Sequence, residues 1–347
     1  MYIVISVLAF AVLIAIHELG HFTAAKCSGV RVEEYSIGMG PAIWKRRRGD
    51  TLYALRILPL GGYCAMAGED GESDDPMAFG NQSFLKKLII LVAGSAMNFL
   101  LALILIMIMY RGAGAFVTTT VDHFMDGCPY EGETAMLPGD SIYSIDGHRV
   151  YLVSDIQSFL IQGDGVYDLV LLRDGEKIEL PGFELVTKEY DGQQKYGFVF
   201  GTTEATLGAK LRYTWYTAME FSRWVWMGLR QLVSGAVKLN DMYGAVGMVD
   251  LMNTASQQAA STGAAIENLL YIVSIIAVNL AAMNMLPIPG LDGGRIFMMT
   301  ATLIIEKLTR RRLDPKYEGY INFAGMLLLL LLMAVVMYND ISRIIMR

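Results

Sequence analysis

The sequence predicts a polytopic α-helical membrane protein of about four transmembrane helices, with a membrane-associated β-hairpin and an inserted extracytoplasmic α+β domain. Of its 347 residues, 54% are hydrophobic and the mean hydropathy is +0.41, too apolar for a typical soluble chain. The apolar residues gather near 2–25, 88–110, 266–288 and 323–338, the pattern of several spans. The stretch from about 115 to 205 has ordinary soluble composition, so a water-facing domain lies between spans. The boundaries follow: an N-terminal membrane half over 1–114, the inserted domain over 115–203, and a C-terminal membrane half over 204–347.

The first span, MYIVISVLAFAVLIAI, lacks a basic leading region and is followed by no small-residue cleavage pattern before His17. It is expected to be retained as a spanning helix. Residues 43–66 alternate and carry a Gly-Asp turn, which predicts a hairpin. Its second arm is apolar enough to dip into the membrane, where strand edges are tolerated only against a protein-walled cavity. Within 116–200 the clearest hairpin is YDLVLLRDGEKIEL. Residues 206–238 mix Tyr213, Trp215, Tyr216, Trp224 and Trp226 with Arg212, Arg223 and Arg230, suiting a helix at the outer membrane interface.

Basic residues set the orientation. Lys26, Arg31, Lys45 to Arg48, Arg56, Lys86 and Lys87 lie between the first two spans. Arg295, Lys307, Arg310, Arg311, Arg312 and Lys316 lie between the last two. Both loops are expected in the cytoplasm, with residues 111–205 and both termini outside. Arg343 and Arg347 at the C-terminus point the other way. Spans one and three then run in the same direction, and their C-terminal ends reach a similar depth. The net charge of −6 argues against a nucleic-acid partner. Cys27, Cys64 and Cys128 show no metal spacing and read as small apolar residues.

Near the end of span one stands His17-Glu18-Leu19-Gly20-His21, the HExxH pattern. Positions i and i+4 share a helix face about 6 Å apart in rise, so both imidazoles reach one Zn²⁺. Glu18, one residue along, can reach an attacking water as general base. A self-satisfied polar cluster is the other reading. Within a span it is disfavoured, because each ionisable group at mid-bilayer costs roughly 2.5–3.5 kcal/mol.

A hydrolytic zinc site needs a third protein ligand and an open position. His123 and His148 fall in the inserted domain, His148 in a turn. The segment NMLPIPGLDGGR, residues 284–295, breaks the third span near membrane depth and carries Asp292. That acid needs a cationic partner, for which Zn²⁺ is the best in reach; an aspartate in a cytoplasmic turn is the alternative. Asn284, close to the same break, can donate to a substrate carbonyl or to the oxyanion formed from it. Asn98 and Asn279 are also intramembrane, with interhelical hydrogen bonding as their default.

HELGH at 17–21 and NMLPIPGLDGG at 284–294 together resemble, in order and spacing, the two metal motifs of the site-2 protease family of intramembrane zinc metalloproteases, in its bacterial RseP-like branch. YSIGMGP at 35–41 and LRILPLGGYCAMAGED at 55–70 resemble that family's membrane-associated β-loop. AGSAMNF at 93–99 and YGAVGMV at 243–249 resemble two further signatures, with Ser95 and Ala245 where proline is common. LPGDSIYSIDGHRV at 137–150 resembles a PDZ-domain segment, although GCPYEGETAM before it departs from the usual Gly-Ser-Pro-Ala pattern. The resemblance implies one PDZ-like domain and a Zn²⁺ ion on His17, His21 and Asp292, with Glu18 and Asn284 catalytic. It implies cleavage of transmembrane segments in single-pass membrane proteins such as anti-sigma factors or signal-peptide remnants, in the plasma membrane of a bacterium. The active site would lie near the cytoplasmic side and the PDZ-like domain outside. The competing readings are an inactive membrane-tethered PDZ adaptor and a transporter; the latter usually shows two matching halves, which this sequence lacks. Oligomeric state is not encoded in any of these motifs.

Overall fold

Helix α1 (Tyr2–Cys27) buries one stripe, formed by Ser6, Leu13, His17, Gly20, His21 and Ala25, and exposes Ile3, Val4, Leu8 and Val12. Helix α2 (Phe84–Tyr110) buries Ile90, Gly94, Asn98, Ala102 and Ile106, a run at strict i, i+4 spacing, with Leu91 and Ser95 beside it. Lipid gives apolar helices little drive to associate, so close packing of small residues has to hold them. A Cβ on Gly20 would stand 2.3 Å from the Ala93 carbonyl oxygen, so the two backbones touch where the helices cross.

The computed structural model describes residues 2–69, 73–132, 135–190, 192–236, 244–310 and 316–346. They form two compact units, one of residues 1–109 with 221–347 and one of residues 110–220. Among the described residues, four helices are long and apolar enough to cross a membrane: Ile3–Cys27, Phe84–Tyr110, Thr262–Asn284 and Gly319–Ile345.

In the first unit the predicted hairpin exists but begins earlier than residue 43. Strands β1 (Val32–Arg48) and β2 (Thr51–Met66) are antiparallel around the expected Gly49-Asp50 turn. The first part of β1 is paired on both sides: Ser36 faces Tyr63 on one and Ala54 on the other. The long hairpin therefore folds back on itself into four segments, ordered 42–48, 51–56, 32–39 and 58–66. Gly38 and Gly61, at φ of +85° and +84°, make bends that a side chain would strain. Arg56 fastens the fold, donating to Ser36 Oγ, Gly40 O, Glu34 Oε1 and Tyr63 OH at 2.6–2.7 Å. The sheet rests on α1, with the Tyr35 hydroxyl donating to Ala15 O at 3.2 Å. Cys64 packs in an apolar cluster with Val32 and Ile90.

Helices α5 (Ala245–Gln257), α6 (Thr262–Asn284), α7 (Asp292–Thr309) and α8 (Lys316–Ile345) complete this unit. Two of them, α5 and α7, were not predicted. Asp292 starts α7; it does not end the third span. Pro287 and Pro289 end α6, and the chain turns at once into a new helix. Gly293 and Gly294 permit the tight turn, since a Cβ on either would lie within 2.4 Å of backbone at Met285 to Ile288. Buried Asp340 of α8 accepts from the Gly244 and Gly247 amides at 3.0 and 2.8 Å, capping α5. Tyr243 and the Ala245 side chain, in the YGAVGMV signature, lie outside the described residues, as do Arg311, Arg312 and the Lys316 side chain.

In the second unit, β3 (Ala115–Phe124), β4 (Ser141–Ile145), β5 (His148–Arg149), β6 (Val166–Arg173), β7 (Glu176–Glu184) and β10 (Phe198–Glu204) form a sheet ordered β10-β3-β4-β6-β7, with β5 on β4. The β6–β7 pair is the predicted YDLVLLRDGEKIEL hairpin, turning at Asp174-Gly175. Strands β8 (Lys188–Tyr190) and β9 (Gln193–Lys195) pair separately. Helix α3 (Val153–Gln162) covers the sheet through Ile156 and Leu160, which pack on Ile142, Ile145, Leu169 and Leu171. Buried Asp140 takes a two-pronged ion pair from Arg173 at 2.7 Å and the Leu137 amide at 2.8 Å, so its charge is compensated. Helix α4 spans Leu207–Val233, ending before residue 238; residues 237 and 238 lie outside the described part. Within this unit its Tyr213 stacks on Phe116 at 4.2 Å and is buried, while Leu207, Leu211 and Trp215 form an exposed apolar stripe at i, i+4 spacing.

Candidate metal centre

One helix turn of α1 and the first residue of α7 meet in the first unit. His17 Nε2 lies 3.1 Å from His21 Nε2 and 3.2 Å from Asp292 Oδ2, and His21 Nε2 lies 3.3 Å from the same oxygen. Both imidazoles are buried. A tetrahedral zinc with bonds of about 2.0–2.1 Å holds its ligand atoms roughly 3.3 Å apart. The three atoms have that spacing, and Asp292 Oδ2 is buried with no hydrogen-bond donor. Two imidazole nitrogens and one carboxylate are also a donor set that zinc favours, and these residues fit the ion.

Polar groups stand behind both imidazoles. His21 Nδ1 lies 2.8 Å from the Ile90 carbonyl oxygen, so it carries the proton and presents the Nε2 lone pair to the centre. His17 Nδ1 has the Asn98 amide at 3.5 Å. Asn284, the last residue of α6, brings Nδ2 within 3.5 Å of His17. Glu18 projects beside this stripe, within electrostatic reach of His17, His21 and Asp292. The outermost segment of β2 passes over it: a Cβ on Gly62 would stand 3.4 Å from Glu18 Cγ. Just beyond β2, Glu69 accepts from the Met66 amide at 3.2 Å and forms an ion pair with Arg295, one turn after Asp292. The end of β2 and the start of α7 are thereby tied together.

The predicted residues His17, Glu18, His21, Asn284 and Asp292 thus come together, and His123 and His148 stand in the other unit. Sequence reasoning missed Gly94, the Ile90 carbonyl and the Glu69–Arg295 pair, and it left Asn98 at its default role. A small-polar pattern, Gly94-Ser95 followed by Asn98 inside an apolar helix, was the available signal. Gly94 is the sharpest omission. A Cβ there would stand 2.4 Å from His21 Nε2 and 2.7 Å from His17 Cε1. Gly94→Ala should displace the imidazoles and weaken zinc binding roughly 10- to 100-fold, the equivalent of a 1–3 kcal/mol overpacking cost. Chelator competition on the purified variant measures this, and wild-type affinity would mean that the two helices part without disturbing the site.

The chain matches the profile of peptidase family M50 over residues 5–332. It is 33% identical over 349 residues to a protein of Clostridium acetobutylicum named as a candidate zinc metalloprotease, covering 98% of this chain and 97% of that one. The zinc metalloprotease RasP of Shouchella clausii is 26% identical over 426 residues, covering 96% of this chain and 97% of its own. The regulator of sigma-W protease RasP of Bacillus subtilis is 24% identical over 422 residues, covering 97% of each chain. A family match over nearly the whole length, spanning both halves of the His17–His21–Asp292 cluster, makes this chain a member of peptidase family M50, a zinc metalloprotease of the site-2 type.

Proposed function

We propose that this enzyme cleaves transmembrane segments of single-pass membrane proteins at the His17–His21–Asp292 centre. The observation that carries the reading is the spacing at 3.1–3.3 Å of three ligand atoms, two on the spanning helix α1 and one at the start of α7, with Glu18 beside them and a strand edge above. Zinc bound there supplies a Lewis acid that acidifies water and polarises the scissile carbonyl. The chain's residues do the rest. The Glu18 carboxylate takes a proton from the attacking water and returns it to the departing amide nitrogen. Asn284 Nδ2, beside His17, donates to the developing oxyanion.

A transmembrane helix protects its peptide bonds with its own hydrogen bonds, so the substrate must unwind first. Segment 58–66 of β2 pairs on one side with 32–39 and, among the described residues, with no strand on the other. The unwound substrate adds there as a strand, which replaces the hydrogen bonds it gave up.

Basic residues flanking the spans support a multi-pass arrangement in the bacterial plasma membrane, with the centre near the cytoplasmic side. The sheet and helix of residues 115–203 support a PDZ-like domain outside, which docks substrates or excludes those with bulky outer parts. The exposed Leu207, Leu211 and Trp215 stripe supports α4 lying at the outer interface. The name of the Bacillus subtilis relative favours regulatory substrates, anti-sigma factors among them, with signal-peptide remnants as the other class. Comparing membrane proteomes of the native host with and without this protein tests the proposal. Short single-pass remnants should accumulate in its absence; unchanged membrane proteomes would leave the adaptor reading in its place.

A further inference from the structure

We propose that Asn98 is a positioning residue for the metal centre: its side-chain carbonyl accepts the Nδ1–H of His17 and so leaves the His17 Nε2 lone pair free for the ion. This rests on the reading of His17, His21 and Asp292 as zinc ligands.

Both imidazoles point Nε2 at Asp292 Oδ2. A neutral imidazole that ligates through Nε2 must carry its proton on Nδ1, and a buried N–H needs an acceptor. His21 has one, the Ile90 carbonyl oxygen at 2.8 Å. His17 has two amides nearby. Asn284 Nδ2 is 3.5 Å from both Nδ1 and Nε2, and an atom equidistant from the two nitrogens lies along neither in-plane N–H nor lone-pair direction. Asn98 is different. It is 1% exposed, its amide reaches His17 Nδ1 at 3.5 Å, and its Oδ1 is buried without any hydrogen-bond partner.

A buried carbonyl left without its hydrogen bond keeps the full cost of its desolvation. A half-turn about the terminal bond of Asn98 exchanges its oxygen and nitrogen with no change of shape. Oδ1 then receives the Nδ1–H, and the orphaned acceptor and the homeless proton satisfy each other. Asn98 is well placed for this role, because it lies one helix turn beyond Gly94, whose missing side chain lets α2 come within reach of both histidines. The two imidazoles are thus oriented by one helix, α2, through a backbone carbonyl for His21 and a side-chain carbonyl for His17.

The test uses the full-length chain in detergent micelles, with zinc affinity read by chelator competition. Loss of a group that orients a metal-ligating histidine typically weakens binding 10- to 100-fold. Asn98→Leu, similar in size but unable to accept, should show that loss. Asn98→Asp retains an acceptor and should hold zinc at least as tightly as the wild type. With only four histidines in the chain, ¹⁵N-histidine labelling follows the Nδ1–H protons directly. In the zinc-loaded Leu variant the His17 signal should move upfield while that of His21, held by Ile90, stays in place. Asn98→Ala, which cannot overpack, serves if the Leu variant fails to fold. Wild-type affinity in the Leu or Ala variant overturns the proposal. So does an Asp variant that folds but binds zinc as weakly as Leu. If the wild type itself shows no tight zinc site, the three-ligand reading fails and this inference falls with it.

Discussion

Replacing Glu18 by glutamine should abolish proteolysis while zinc stays bound. Glutamine has the same shape and fits the same space beneath Gly62, so neither α1 nor the sheet over it has reason to move. It cannot accept a proton at neutral pH. Removing a positioned general base costs about 10²- to 10⁴-fold in rate, which would put turnover of a single-pass reporter substrate below detection in most assays. Zinc content and substrate cleavage should be measured on the same preparation. Retained zinc with cleavage at the wild-type rate would remove Glu18 from the mechanism. Loss of zinc would mean that Glu18 helps to hold the centre.

Asp292→Asn is the second large effect. Asp292 is the first residue of α7, whose N-cap is Leu291 with no side-chain capping bond, and the turn against Met285 to Ile288 is made by Gly293 and Gly294, so no capping contact is lost. The fold should therefore survive. The anionic oxygen 3.2–3.3 Å from both imidazole nitrogens would be gone. Disturbing a residue behind a ligand costs up to about 100-fold in metal affinity, so removing a ligand should cost more, with cleavage falling to background. Metal analysis after brief exposure to a competing chelator decides it. Undiminished zinc in a folded Asn variant would place the third ligand elsewhere.

The features legible in the sequence were those whose physics is local. Ionisable groups inside an apolar run stand out whatever the tertiary structure, which made His17, Glu18 and His21 visible, and the Pro/Gly break of the third span marked Asp292. The Asp174-Gly175 turn between alternating strands is equally local. Glycine's significance at position 94 depends on what faces it across a helix crossing, which no single-chain pattern records. The doubled hairpin was underestimated because residues 32–42 hold Glu33, Glu34 and several small residues and lack clean alternation; their pairing on both sides comes from the fold. Helix α7 was missed because two prolines and three glycines in 287–294 read as the end of structure. In the fold they make a corner, and the helix begins on its far side.

The crossing of α1 and α2 also orders events during synthesis. At about 5–20 residues per second, the Ile90 carbonyl, 69 residues after His21, is made roughly 3–14 s after the imidazole it will hold. Asn284 comes 267 residues after His17, and Asp292 shortly after that, so the acid arrives about 14–55 s after the first histidine in the growing chain. Between the synthesis of α2 and that of α7 the histidines of α1 have α2 as their polar neighbour and no carboxylate of α7. The α1–α2 pair thus shelters two polar side chains before any metal site can exist, and the last part of the centre to be translated is the one that completes it.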